Sequence, residues 1–224
     1  MEAKRLAAEK AVELAADGMI VGLGTGSTVA YAIHKLGERV QQGLKIEAVA
    51  TSIRSEKLAR ELGIPMVNFG DIDQIDLTID GADEVDPEWN LIKGGGGALL
   101  REKIVAAAST RLIIIVDESK VVDRLGQFPL PVEVVPFGWE LTLRKLAGLG
   151  YNPQLRTEAG RPYVTDNGNY ILDCRIGWMD KPEEIHDQIN RIVGVVENGL
   201  FIGYTDRVIV GYHDGAVKEL PRRK

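Results

Sequence analysis

Residues 76–103 read DLTIDGADEVDPEWNLIKGGGGALLREK, and this stretch is the most informative part of the chain. The apolar run over residues 75–79 predicts a strand that ends beside Asp80, and residues 98–109 predict a helix. In open α/β sheets, ligands bind at the carboxyl ends of the strands. The residues that follow this strand carry carboxylates, a lysine and consecutive glycines: Asp80, Asp83, Lys93, Gly94, Gly95, Gly96, Gly97 and Glu102. Such a set favours proton transfer on a small anionic substrate.

Strands and helices alternate on both sides of this stretch. Strands are predicted over residues 19–23, 46–50 and 112–116, and helices over residues 2–16 and 27–42. The run at 112–116 is continuously apolar, as expected of a strand that is buried on both faces. This alternation predicts an α/β fold with a Rossmann-like, doubly wound, mostly parallel sheet.

The pattern changes near Gln127. The proline-spaced run PLPVEVVPFGW is followed by strand, helix, strand, strand, helix and strand patterns over residues 132–196. This order is typical of a ferredoxin-like α+β unit. We therefore predict a Rossmann-like catalytic domain, residues 1–126 plus 199–224, with an inserted ferredoxin-like domain, residues 127–198. The apolar runs at 200–203 and 207–212 are expected to return to the first sheet.

Composition restricts the function classes. The 224 residues carry a formal net charge of −6, which argues against broad contact with nucleic acid. Cys174 is the only cysteine, so no disulfide forms within the chain and a reducing compartment fits. The N-terminal residues lack the apolar core of a signal peptide, and no apolar run is long enough to cross a bilayer. These observations predict a cytoplasmic protein that binds neither nucleic acid nor membrane.

The segment GLGTGSTV, residues 22–29, joins a predicted strand to the beginning of a helix. Backbone N–H groups and the helix dipole make such a turn suitable for an anion. The glycine spacing nearly matches a dinucleotide-binding fingerprint, but Ser27 stands at its third position and no acid follows the second strand. Phosphate or carboxylate binding, a plain tight turn and a dinucleotide site all remain open.

Asp80 and Asp83 also leave several interpretations open. Two nearby carboxylates suit acid–base work or substrate contact, but they could bind a divalent cation or stabilise a turn. Residues 94–97 form either an anion-binding nest beside Lys93 or a flexible hinge. The histidines show no metal-ligand spacing, and we predict no metal site.

Glu102 and Lys120 are less distinctive by pattern. The apolar stripe of the predicted helix consists of Leu100, Ile104, Ala107 and Ala108, which places Glu102 on the opposite face. Periodicity therefore favours a solvated glutamate, but a cleft can open on that face if the helix borders the ligand crevice, and periodicity does not decide between the two. Lys120 follows the buried strand at 112–116 and could therefore face the crevice, although its pattern favours an ordinary surface lysine.

Taken together, the motifs of this chain closely resemble the type A family of ribose-5-phosphate isomerases. The resemblance covers essentially the whole chain and is carried by GLGTGST (22–28), DGADEVD (80–86), LIKGGGGALLREK (91–103) and VDESK (116–120). TSIRSEKLARELGIP (51–65) and LPVEVVPFGW (130–139) are similar to that family too. The resemblance implies that the protein interconverts ribose 5-phosphate and ribulose 5-phosphate in the non-oxidative pentose phosphate pathway, without a cofactor.

The family resemblance also implies the roles of individual residues. Glu102 would be the proton acceptor, and Asp80, Asp83 and Lys93 would assist catalysis. Substrate contacts would fall on Thr25, Gly26, Ser27, Thr28, Asp80, Gly81, Ala82, Asp83, Lys93, Gly94, Gly95, Gly96, Lys120 and Lys4. The partner would be a small sugar phosphate, and the enzymes of the family are commonly homodimers, some of them tetramers.

Two competing functions belong to other classes. A sugar-phosphate sensor on the same fold would require a DNA-binding segment, and the sequence shows no basic recognition helix. A nucleotide-dependent oxidoreductase would require the missing acid after the second strand.

Overall fold

The computed structural model describes residues 1–222 of the chain. Within them lie the helices α1 (Glu2–Val12), α2 (Ser27–Gln41), α3 (Ile53–Glu61), α4 (Leu99–Ala107), α5 (Trp139–Gly148) and α6 (Pro182–Asn190). The strands are β1 (Ile20–Leu23), β2 (Glu47–Ala50), β3 (Leu77–Asp80), β4 (Glu84–Val85), β5 (Leu91–Ile92), β6 (Leu112–Asp117), β7 (Leu130–Val134), β8 (Pro153–Leu155), β9 (Thr157–Glu158), β10 (Arg161–Pro162), β11 (Tyr170–Cys174), β12 (Val195–Asn198), β13 (Leu200–Phe201), β14 (Arg207–Gly211) and β15 (Val217–Glu219).

The chain forms two compact units. Unit 1 comprises residues 1–82, residues 101–121 and the chain from residue 204 onward, and unit 2 comprises residues 83–100 and 122–203. The domain division predicted from the sequence, with residues 127–198 as the smaller domain, stays a prediction.

The sheet of unit 1 has the strand order β15-β14-β6-β3-β1-β2. All of its neighbouring strands pair in parallel except β15, which pairs antiparallel with β14. Every residue of β6 is buried, because helices cover both faces of a doubly wound sheet. Helix α1 packs on α2 and β14 and buries its alanine face, where Ala7, Ala8 and Ala11 are fully enclosed. The predicted fold class is confirmed.

Unit 2 contains a four-stranded antiparallel sheet with the order β12-β7-β11-β8. Helix α5 follows β7 and helix α6 follows β11, which is the ferredoxin-like arrangement predicted from the sequence. One face of this sheet packs with both helices in a single core that includes Val132, Leu146, Leu172 and Ile189.

Unit 2 also contains three strand pairings that the sequence analysis did not predict. β4 and β5 form a hairpin, and β13 pairs with β5 to complete a three-stranded sheet. β9 and β10 form a second hairpin. The expectation that residues 200–203 return to the first sheet is therefore wrong, because the backbone of Leu200 pairs with Ile92. Residues 207–211 do return to it, as β14 beside β6.

Candidate active site

The central feature of unit 1 is the point where the strand order reverses. The chain runs from β1 outward to β2 on one side, whereas β3, β6 and β14 follow on the other. β1 and β3 are neighbours, so the turn after β1 meets the carboxyl end of β3. In doubly wound sheets this reversal opens the crevice where ligands bind.

Asp80 and Gly24 make close contact at this reversal point. Asp80 is 1% exposed, and its Oδ1 accepts hydrogen bonds from the N–H groups of Thr25 (3.2 Å) and Gly81 (2.7 Å). A Cβ atom on Gly24 would lie 2.0 Å from Asp80 Oδ1 and 2.7 Å from its Cα. Only glycine therefore fits at position 24, and the Asp80 carboxylate is held by the backbone of the loop after β1.

The end of β2 holds the same loop from the other side. Thr51 is fully buried, and its hydroxyl lies 2.7 Å from the hydroxyl of Thr25. Ser55 donates to the carbonyl of Gly24 at 2.6 Å, and Ser52 caps helix α3 by accepting from the Ser55 N–H. The sequence analysis did not identify Thr51 or Ser55 as supports of this loop. The sequence did carry a signal for these supports, namely the consecutive hydroxyl residues Thr51 and Ser52 at the end of a predicted strand.

Helix α2 begins directly after the glycine turn. Gly26 precedes it with a φ of 118°, and Ser27 is its first residue. Lys4 Nζ donates to Ser27 Oγ at 3.2 Å. A cavity of about 370 Å³ lies beside this helix start; it is lined by Met1, Lys4, Ser27, Ala30, Tyr31, His34 and Arg54. Cationic side chains and a helix N-terminus favour an anion here.

Lys4 also approaches the end of strand β6. Its Nζ lies 3.8 Å from Asp117 Oδ2, and Lys120 belongs to the short 3₁₀ turn that follows β6. Burial raises the pKa of Asp117, but hydrogen bonds from the Ser119 hydroxyl and N–H and the charges of Lys4 and Lys120 outweigh burial. The pKa of Asp117 therefore lies below its ordinary value.

Glu102 lies on the buried face of helix α4, contrary to the expectation from the apolar stripe. Glu102 and Lys103 are each 5% exposed, whereas Ile104 is 54% exposed. Val105, three residues after Glu102, packs with Val49 and Ile75, and it closely approaches Gly22 of β1. The helix is oriented by this contact with the sheet, which turns Glu102 inward and Ile104 outward.

The remaining predicted site residues lie in unit 2. Asp83 Oδ2 accepts a hydrogen bond from the Gly95 N–H at 2.7 Å. Gly94 has a φ of 101°, and a Cβ on it would lie 2.9 Å from Leu99. Gly97 donates to the carbonyl of Gly94 at 2.9 Å, which closes a tight turn. The four glycines thus form a hydrogen-bonded turn.

Lys93 is 2% exposed, and its Nζ lies 5.4 Å from the centre of the Phe201 ring. Its N–H donates to the carbonyl of Gly199 at 2.9 Å. A buried ammonium at the beginning of the glycine turn is suited to neutralise an oxyanion.

The predicted residues thus fall into two groups, each assembled within its own unit. Unit 1 contains Lys4, Thr25, Gly26, Ser27, Thr28, Asp80, Gly81, Ala82, Glu102 and Lys120, and unit 2 contains Asp83, Lys93, Gly94, Gly95 and Gly96. Among residues 1–222, no cluster of three or more His, Cys, Asp or Glu side chains is placed to hold a metal ion. In the same part of the chain, no helix has the length and apolar character to cross a bilayer.

Comparison with known proteins agrees with the family resemblance of the sequence motifs. The family model of ribose 5-phosphate isomerase A (phosphoriboisomerase A) matches residues 47–215. Ribose-5-phosphate isomerase A of Bacillus mycoides (strain KBAB4) is 52% identical over 220 residues, which cover 98% of this chain and 99% of that protein.

Solved structures agree with the sequence comparison. A D-ribose-5-phosphate isomerase in complex with phospho-erythronic acid superposes with a TM-score of 0.94 at 43% identity, covering 98% of this chain and 97% of that one. Ribose 5-phosphate isomerase from Plasmodium falciparum gives a TM-score of 0.94 at 39% identity, covering 99% of this chain and 98% of the other.

Proposed function

The chain belongs to the ribose-5-phosphate isomerase A family, which interconverts ribose 5-phosphate and ribulose 5-phosphate, and we propose that it does so by proton transfer through Glu102. The protein is an aldose–ketose isomerase of the pentose phosphate pathway. The residue roles below follow the family resemblance and are supported by the burial and contacts of each side chain.

The observation that carries the proposal is the burial of Glu102. A carboxylate in the first turn of a helix normally faces water, because burying it loses its hydration. Glu102 is nevertheless 5% exposed and lies on the same helix face as Val105. A water-poor position is useful for a base, because few solvent molecules compete for the proton that it carries.

The proposed reaction requires only proton transfers. Glu102 takes the proton from C2 of the open-chain aldose, the electrons of that C–H bond form the C1–C2 double bond of a cis-enediolate, and the former C1=O electrons move onto O1. The same carboxyl then delivers a proton to C1, the hydroxyl proton of O2 passes to O1, and the carbonyl appears at C2. A positioned base of this kind contributes about 10²–10⁴-fold to the rate.

Negative charge develops on the substrate oxygen as the enediolate forms. We assign its neutralisation to Lys93, because a buried ammonium is preorganised for that charge. Asp80 and Asp83 are assigned to the sugar hydroxyls. Each of them is held in place by a backbone N–H of a glycine, Gly81 and Gly95 respectively.

The substrate phosphate is assigned to the start of helix α2. Thr25, Gly26, Ser27 and Thr28 surround the helix N-terminus, whose dipole favours a dianion. Lys4 contributes a cation at 3.2 Å from Ser27 Oγ. We assign Lys120 to the same phosphate, because its charge and that of Lys4 both act on Asp117 at the end of β6. Binding the phosphate at one end keeps the reacting carbons in register.

The test is formation of ribulose 5-phosphate from ribose 5-phosphate by EDTA-treated protein, comparing wild type with Glu102→Gln. We expect metal-free turnover in the wild type. In Glu102→Gln, kcat should fall at least about 10²-fold.

Glu140→Gln is the matched control, since Glu140 also lies in the first turn of a helix but is exposed. It should retain wild-type kcat. If Glu102→Gln turned over as fast as this control, Glu102 would not be the base. An inactive wild type would refute the isomerase assignment itself.

We also propose that the enzyme acts in the cytoplasm as a homodimer. The single, buried Cys174 is compatible with a reducing compartment, and exposed apolar side chains such as Phe137 and Val193 are available for subunit contact. Light scattering after size-exclusion chromatography measures the mass directly. A monomer mass at micromolar concentration would refute the dimer.

A further inference from the structure

The sheet of unit 2 has a second face that carries charged residues. Along β7, Leu130, Val132 and Val134 point into the core with the helices, so Pro131 and Glu133 point the other way. On β11 the same alternation places Asp173 on this second face. The ion-pair partner of Asp173 on this face is Arg156.

Arg156 continues strand β8 by one residue. Its N–H donates to the carbonyl of Ile171 at 2.8 Å, and its own carbonyl accepts from the Tyr163 N–H at 2.9 Å. Because the partner of Asp173 on β8 is Gln154, Arg156 lies diagonally across from Asp173 on the same face. The backbone of Arg156 is therefore fixed on both sides.

The Arg156 side chain forms a two-pronged ion pair with Asp173. Nε donates to Oδ2 at 2.9 Å and Nη2 donates to Oδ1 at 2.6 Å, with the two side chains 15% and 26% exposed. This geometry is the strong, directional form of an arginine–carboxylate contact. Nη1 is the guanidinium nitrogen that does not bind Asp173 in this geometry. The ring of Tyr163 lies 5.8 Å from the guanidinium carbon.

Arg156 Nη1 binds the glycine turn. Arg156 Nη1 donates to the carbonyls of Gly94 at 2.9 Å and Gly95 at 3.2 Å. The peptide between these two glycines is held at both ends, because its N–H, on Gly95, donates to Asp83. In the next peptide, the Gly95 carbonyl faces Arg156. Because a trans peptide directs its C=O and N–H oppositely, the Gly96 N–H points away from the arginine.

We propose that Arg156, held by Asp173, is a positioning residue for the isomerase reaction. It sets the orientation of the Gly96 N–H and, through Gly95, that of the Asp83 carboxylate. The inference rests on the proposed function, because the glycine turn that Arg156 binds is assigned to that same isomerase reaction. Arg156 acts through these groups and makes no contact with the reacting atoms in this proposal.

A positioning role predicts a specific kinetic pattern. A donor misplaced by about 1 Å can cost about 10²-fold in rate. We expect Arg156→Ala to lower kcat by about that factor and to change KM less than about 3-fold, since the phosphate is assigned to unit 1. Arg156→Lys should recover little, because an ammonium cannot bind Asp173 and two carbonyls with a planar fork. Added guanidinium should restore part of the kcat of Arg156→Ala.

Asp173→Asn tests the same arrangement with almost no change in side-chain volume. It should also lower kcat, because the amide cannot accept both arginine hydrogen bonds. Arg161→Lys is the control, since Arg161 lies exposed on β10 of the same region. It should match the wild type in kcat and KM. Circular dichroism at the assay temperature identifies any variant that is not folded, and Asp173→Asn then decides the question.

The outcomes separate the inference from the proposed function. Wild-type kcat in both Arg156→Ala and Asp173→Asn, with an active wild type, would overturn the inference alone. A fall in kcat that guanidinium does not reverse, accompanied by an equal rise in KM, would also overturn it. An inactive wild type would overturn the proposed function and this inference together.

Discussion

Replacing Gly24 by alanine tests the close contact between the loop after β1 and strand β3. The new Cβ would lie 2.0 Å from Asp80 Oδ1, 2.3 Å from its Cγ and 2.7 Å from its Cα. Ordinary contact begins near 3.4 Å, so the shortest distance must open by 3.4 − 2.0 = 1.4 Å. Rotation of the Asp80 side chain cannot relieve the contact with Cα, and the backbone itself must move.

The expected loss of stability follows from two contributions. Overpacking of a buried position costs about 1–3 kcal/mol. Displacing the loop also weakens the hydrogen bond from the Thr25 N–H to Asp80, which is worth about 1.5–3 kcal/mol for a charged acceptor. Gly24→Ala should therefore lower the free energy of unfolding by about 2.5–6 kcal/mol. A displacement of more than 1 Å at Asp80 should lower kcat by about 10²-fold.

Urea unfolding followed by circular dichroism measures the first effect, and the conversion of ribose 5-phosphate measures the second. Gly148→Ala is the matched control, because no atom lies within 4 Å of the place that its Cβ would occupy and its φ is not positive. Alanine there, at the end of helix α5, should be neutral or stabilise by up to about 1 kcal/mol. If Gly24→Ala kept the wild-type urea midpoint and kcat, the close approach of β1 and β3 would be wrong.

Two further predictions concern ionisable side chains. The pKa of Asp117 is lowered in the folded protein, because the Ser119 hydrogen bonds and the charges of Lys4 and Lys120 outweigh burial. The ionised carboxylate therefore stabilises the fold above about pH 4, and this stabilisation is lost as the pH falls through the lowered pKa. Below about pH 4, the free energy of unfolding of Asp117→Asn should fall less steeply with pH than that of the wild type, and identical curves would contradict the assignment. Burial raises the pKa of the Cys174 thiol to about 12, so a disulfide reagent at pH 8 should react only after urea unfolding, and rapid reaction of the folded enzyme would show that the thiol is accessible.

Much of the fold could be predicted from periodicity. β6 is a continuous apolar run and is buried along its full length, and the predicted strand at 46–50 contains β2. The order of elements from β7 to β12 predicted the ferredoxin-like sheet. These predictions succeeded because strand and helix periods are local properties that appear directly in the sequence.

The pairings that were missed involve short strands. β4, β5, β9 and β10 have two residues each, which is too short for an alternating pattern to appear. β13, also two residues long, was assigned to the wrong sheet because its partner β5 lies more than a hundred residues earlier in the chain. Pairing over such a separation leaves no local signal.

The candidate site also contains residues that a local motif identified and residues that no local motif identified. The glycine turns, Asp80, Asp83 and Lys93 were identified by motif, since unusual glycine spacing and adjacent charges are visible without a structure. Glu102 was identified only by family resemblance, and periodicity alone pointed to the wrong helix face. Arg156 and Asp173 carried no sequence signal, because they lie 17 residues apart and meet only when β8 pairs with β11.

The sequence by itself determined the α/β class, the order of the elements and the motif residues, because residue spacing and turn chemistry act over a few neighbouring positions. Only the tertiary structure decided which face of α4 is buried and which side chains hold the glycine turn. Burial depends on the surface that an element meets, and that surface is built from distant parts of the chain. Val105 meets the sheet of unit 1, and this contact, rather than the hydrophobicity of Ile104, turns Glu102 inward.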